Sequence, residues 1–160
     1  MATLVVTILL LTAPAWAQPS TDRREFSPCA ERGHSIGDGD LRIEATKQAA
    51  VLTSWIVAQA HWAKPDLPLI RIIPRSKTQK MFNAEVSGDI KCEALYSNKD
   101  DTVYLSDNWR TNDLRDRSIV LHELVHHLQY LNHVKAGCES RLEFQAFKLR
   151  AQWLSKQGVE

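Results

Sequence analysis

The sequence has no Gly-rich phosphate loop, so a nucleotide-hydrolysing or dinucleotide-dependent enzyme has no support. It has no excess of either charge sign. Lys and Arg number 20 against 19 Asp and Glu, for a net charge of +1. That balance excludes a strongly basic nucleic-acid footprint and an acidic solvating tail, so nucleic acid is not an expected partner. Glycine and proline, six of each in 160 residues, are too scarce for a collagen-like or linker-dominated chain. No C-x-x-C pair occurs, which disfavours a cysteine metal site. No internal repeat is evident, and no apolar run reaches the roughly 20 residues that a membrane-spanning helix needs.

What is present is the composition of an ordinary globular domain. The chain is 44% hydrophobic, enough at this length to bury a core without staples. It begins with an apolar run, Leu4 to Leu11, followed by Ala15-Trp16-Ala17, a small-x-small cleavage pattern. Residues 1–17 therefore read as a secretory signal peptide, although no Lys or Arg precedes the run. Residues 18–160 then form one exported domain, periplasmic or secreted, with no stable membrane span after cleavage. Export bears on Cys29, Cys92 and Cys138. An odd count in an oxidising compartment predicts one disulfide plus one free or intermolecular thiol. Cys92–Cys138 is the favoured pair, because both lie near the segments that build the site described below.

Residues 18–40 are polar and turn-rich. The string Gly37-Asp38-Gly39-Asp40 lacks the spacing of a calcium loop and reads as a turn, with Asp40 capping a helix. That helix spans 41–63, with Ala45, Ala49, Leu52, Ile56, Ala60 and Ala63 stepping by three and four, and Pro65 stopping it. Trp55 and Trp62 lie beside the stripe as core packing. Leu69–Ile73 is β-branched and reads as a strand, and 76–83 as a short helix. Ala94–Tyr96 and Thr102–Leu105 flank a polar connection, the pattern of an antiparallel hairpin. A helix of about twenty residues follows, capped by Asn112 or Asp113 and running to about Asn132. A last helix covers about Glu139 to Ser155. Trp109, in a polar loop, either caps the core or walls a substrate site. The order of elements defines an α+β domain.

The chemistry lies in the long helix. His122-Glu123-Leu124-Val125-His126 is H-E-x-x-H. Residues four apart lie one above the other on a helix face, so both imidazoles can reach one Zn²⁺ at about 2.0–2.1 Å. Glu123 is turned about 100° from His122 around the helix. There it sits beside the metal, free to take a proton from water and hand it on. Leu121, Leu124, Val125, Leu128 and Leu131 bury the adjoining face, and a dry wall strengthens the electrostatics of such a site. His127 is turned away from His126 and is no ligand. His133 lies two turns on, at the cleft mouth, while His34 and His61 are surface residues.

A hydrolytic zinc site has three protein ligands and an open position. His126 is followed by His127-Leu128-Gln129-Tyr130-Leu131-Asn132, without the Gly and third His of the metzincins, so that class is rejected. A glutamate from the next helix is the alternative, and Glu139 and Glu143 both qualify. Glu143 is preferred. It lies on the stripe Leu142, Ala146, Leu149, Trp153, and the small Ala146 permits close approach to the zinc helix. Glu139 opens the helix, where the macrodipole favours any carboxylate. Arg141, Lys148 and Arg150 form the solvated flank.

This combination, His122-Glu123-Leu124-Val125-His126 with Glu143-Phe144-Gln145-Ala146, resembles the gluzincins, metallopeptidases with two helix histidines and a downstream glutamate. Residues 90–156 also resemble small exported bacterial proteins carrying an H-E-L-V-H-H-x-Q stretch, then a Cys and E-x-x-A. The resemblance implies a zincin-like α+β domain with zinc at His122, His126 and Glu143 and Glu123 as general base. It implies that the strand near Thr102–Leu105 is the edge along which an extended peptide pairs. It also implies a downstream Tyr or His donor for the oxyanion, for which Tyr96, Tyr130 and His133 are candidates. The chain is much smaller than peptidases of that class, which implies a shallow cleft or one that a protein partner completes.

The reading is thus an exported zinc metallopeptidase, acting on a peptide or protein substrate, with activity falling below about pH 6 as the histidines protonate. The rival is an exported zinc-binding or peptide-binding module with a peptidase-like fold and no turnover.

Overall fold

The computed structural model describes residues 38–83, 92–135 and 137–159. The chain divides into two units, Met1–His34 and Ser35–Glu160, and the described residues lie in the second. The expected signal peptide, the turn-rich stretch before residue 38, Cys29 and His34 fall outside the described residues.

The elements are α1 (Asp38–Ala60), β1 (Leu69–Ile73), α2 (Arg75–Asn83), β2 (Ala94–Ser97), β3 (Thr102–Ser106), α3 (Leu114–Leu131) and α4 (Glu139–Lys156). Among the described residues the fold is α+β: four helices and a three-stranded sheet of order β1-β3-β2. β2 and β3 form the antiparallel hairpin that the sequence predicts, with Tyr96 opposite Val103. β1 runs parallel to β3, with Ile70 opposite Val103. β3 is therefore the central strand, paired on both sides. The expectation that Thr102–Leu105 offers a free edge is corrected. Among the described residues the edges are β1 and β2, because the parallel crossover from β1 brings it onto the side of β3 that a hairpin alone would leave open.

Two boundaries of α1 also differ from expectation. The helix starts at Asp38, which places Asp40 inside the first turn, not at the cap. It ends at Ala60, five residues before Pro65, because His61 turns into the left-handed region at φ 56°. The chain beyond is held by Asn132. Its side-chain Oδ1 accepts the Ala63 backbone N–H at 2.9 Å, and its Nδ2 donates to the Ala63 carbonyl at 3.3 Å. Ala63, expected on the apolar stripe, is exposed beyond the helix end.

α3 packs against α1, α4, β2 and β3. Asp113 caps it, accepting the backbone N–H groups of Arg115 and Asp116. Val120, Leu121, Leu124, Val125 and Leu128 are fully buried against Ala45, Ala49, Leu52 and Ile56 of α1, Val103 and Leu105 of β3, and Ala146, Leu149 and Trp153 of α4. Leu131 ends the stripe at 37% exposure. Trp55 and Trp62 pack against the core from its margin. Trp109 resolves as a core cap, buried, with its indole N–H donating to the Asp116 carbonyl at 3.0 Å. Arg141 and Lys148 are exposed as expected. Arg150 is not on the solvated flank. It is half-buried, and its Nε donates to Ser118 Oγ at 3.0 Å.

The expected Cys92–Cys138 disulfide is absent. Cys92 is buried and its Sγ donates to the Ala94 carbonyl at 3.0 Å, whereas Cys138 is exposed at the start of α4. Burial pushes the Cys92 thiol up to about 12, with the Glu123 carboxylate adding to the shift. Reactivity follows the thiolate. Iodoacetamide is therefore expected to leave Cys92 unmodified in the folded protein at pH 8 and to label it on unfolding, as peptide mass mapping would read. Labelling of the native protein at Cys92 would contradict this packing.

Candidate metal centre

The helical repeat places His122 and His126 on one face of α3. The packing of α4, through Ala146, brings Glu143 onto that face. His122, His126 and Glu143 form a cluster whose ligand atoms lie within 4.8 Å of one another. The two histidine Nε2 atoms are 3.1 Å apart. Glu143 Oε2 lies 3.2 Å from His122 Nε2, and its Oε1 lies 3.1 Å from His126 Nε2. One carboxylate thus straddles both imidazoles. For bonds of about 2.0–2.1 Å, the edge of a tetrahedron around zinc is roughly 3.3 Å. The triangle is close to the size that such an ion needs, and the N, N, O donor set suits it.

Burial decides the charge of this cluster. His122 is 9% exposed, and desolvation pulls it down to about 3, helped by His126 and Arg150. It is neutral at physiological pH, so its contact with Glu143 is no ion pair. Its Nδ1 is buried with no hydrogen-bond partner among the described residues.

Glu123 follows His122 and turns towards β2. It is 9% exposed, and its Oε2 accepts the Tyr96 backbone N–H at 2.8 Å. Burial pushes the carboxyl up to about 8, the Tyr96 bond pulls it back, and Glu143 raises it again. A divalent cation in the adjoining triangle would draw it down. The edge strand β2 thus holds one carboxylate oxygen by its backbone. Sequence reading missed this contact, because it depends on the register of a strand more than twenty residues away.

Glu143 is the glutamate brought to the histidine pair; nothing is described of the Glu139 side chain. Of the three candidate oxyanion donors, the Tyr96 hydroxyl is committed to Asp101 Oδ1 at 3.0 Å. Tyr130 is exposed one turn beyond His126, and His133 is exposed past the helix end. Phe147, missed in the sequence, borders the site, with its ring 4.7 Å from that of His122.

His127 is no member of the cluster. It is fully buried on another side of α3. Its Nε2 lies 3.0 Å from the Asp66 carbonyl, which can only accept, and its Nδ1 lies 2.8 Å from Asp101 Oδ1. Asp101 itself sits at φ 47° in the hairpin turn. The network fastens that turn, and with it β2, to α3. Asp101→Ala leaves a buried imidazole nitrogen without its partner and is expected to cost about 1–3 kcal/mol. A denaturant midpoint unchanged from the parent would contradict that role.

With the geometry in place, comparison with known proteins adds a family but no activity. The family model described as "Domain of unknown function (DUF6647)" matches residues 43–160. The chain belongs to that family, and the match spans α3, α4 and every residue of the cluster. No curated protein and no solved structure matches the chain. None of the described helices is long and apolar enough to cross a membrane.

Proposed function

We propose that this protein is an exported zinc-dependent hydrolase, a small metallopeptidase that cleaves peptide bonds. The observation that carries the reading is the triangle of His122, His126 and Glu143, of tetrahedral edge length, with the Glu123 carboxylate held beside it. Bound zinc supplies a Lewis acid for the scissile carbonyl and makes water acidic enough to ionise near neutral pH. His122, His126 and Glu143 would hold the ion. Glu123 accepts the proton of the attacking water and delivers it to the leaving amine. Its second oxygen stays on the Tyr96 N–H, which keeps the carboxylate aimed. The buried wall of Leu121, Leu124 and Val125 keeps bulk water from the rear of the site. The substrate is a peptide or protein, and the cleft is either shallow or completed by a protein partner.

Elemental mass spectrometry of the purified protein is expected to find about one zinc per chain, and a peptide-library digest is expected to show cleavage that a chelator abolishes. Zinc without cleavage would favour the non-catalytic binding module. No metal uptake after zinc is supplied would remove the enzyme reading altogether.

A further inference from the structure

We propose that Gln129 is a positioning residue that presets His126 as a metal ligand. The proposal rests on the zinc reading above and goes beyond it, to a residue that the H-E-x-x-H pattern does not contain. Gln129 follows His126 by three residues, so it shares that face of α3. It is 3% exposed, unusual for an amide with no part in a backbone turn.

Which way the amide points is settled by its partners. Its Nε2 lies 3.0 Å from the Leu142 backbone carbonyl, and a carbonyl can only accept. The amide nitrogen therefore faces α4, where it also donates to Gln145 Oε1 at 3.1 Å. The amide oxygen then faces His126, with Gln129 Oε1 lying 3.0 Å from His126 Nδ1. An acceptor there requires the proton on Nδ1. In the neutral ring this leaves the lone pair on Nε2, which faces His122 Nε2 and Glu143 Oε1, each at 3.1 Å. Nothing fixes the tautomer of His122, so without a cation its Nε2–H can donate to Glu143 Oε2 or to the His126 lone pair, and a cation would take the place of that proton. Leu142 precedes Glu143, so the same amide that selects the tautomer of one ligand also fixes the helix where the third ligand leaves it. His122 has no such device among the described residues, since its Nδ1 lacks a partner.

The test is zinc affinity by competition against a chromophoric chelator, for wild type, Gln129→Met and Gln129→Glu, each checked for fold by circular dichroism. Gln129→Met keeps the length and packing but loses the acceptor, and is expected to bind zinc about 10–100-fold more weakly. Gln129→Glu restores an acceptor for Nδ1–H but cannot donate to Leu142, and is expected to stay within about threefold of wild type, because a carboxylate orients a ligating histidine at least as well. Equal weakening in both variants would assign Gln129 to a mere tie between α3 and α4 and overturn the proposal. So would a folded Gln129→Met of wild-type affinity. Should Gln129→Met fail to fold, Gln129→Glu alone decides: near-parent affinity supports the role and loss overturns it. Failure of the wild type to bind zinc overturns the metal reading itself, and that result is distinct from the others.

Discussion

Glu123→Gln is expected to lower kcat by about 10²–10⁴-fold, the range that a positioned general base contributes, while zinc content and fold are retained. The substitution is nearly isosteric. A glutamine oxygen can still accept the Tyr96 N–H, so the tether to β2 survives. The proposed metal ligands are untouched, because Glu123 is not among the three clustered residues. What is lost is the capacity to take a proton. The variant also removes a buried acid that is costly to ionise, so its folded state should be no less stable than the parent's. The measurement is kcat on the best peptide from the library digest, with zinc content read on the same sample. Turnover within a few-fold of wild type would show that another group carries the proton, or that the observed cleavage is not catalysed at this site.

The parts of this protein that were legible in its sequence are those whose causes are local. The i, i+4 spacing places His122 and His126 on one face, and Asn112 and Asp113 together mark the start of α3, where Asp113 proves to be the cap. Glu143 was readable one step further out, because the apolar stripe of α4 with its small Ala146 said which face would approach α3. The features that escaped depend on long-range register. β3 is central only because β1 returns parallel to it, and nothing in residues 102–106 announces that. Pro65 reads as the stop of α1, whereas a left-handed His61 ends it earlier. Cys92 and Cys138 could be paired on paper, but one is sealed beside β2 and the other is exposed at the start of α4. Gln129 stands in the sequence as the last position of the H-E-L-V-H-H-x-Q stretch, with no role attached. Its role needed Leu142 and Gln145 opposite, which only the packed helices supply.

The third ligand admits the sharpest test. Glu143→Ala and His126→Ala are each expected to weaken zinc binding by more than 100-fold, beyond what loss of an outer hydrogen-bond partner costs, because each removes one of the three proposed protein ligands. Glu143 contributes twice, since its two oxygens face the two imidazoles at 3.2 and 3.1 Å, and its loss leaves both imidazoles without the anion that offsets the charge of the ion. Glu139→Ala, measured beside them, is expected to keep zinc. Four residues earlier on α4, its Cα lies about 6 Å along the helix axis from that of Glu143. Stoichiometry by elemental mass spectrometry and affinity by chelator competition read all three variants on one scale. Zinc kept by Glu143→Ala and lost by Glu139→Ala would move the ligand one turn towards the start of α4. It would also require α4 to slide along α3, which the burial of Ala146 against that helix opposes. Zinc kept by every variant would mean that the ion binds elsewhere, and the triangle would then be an apolar-walled hydrogen-bond cluster with no metal to hold.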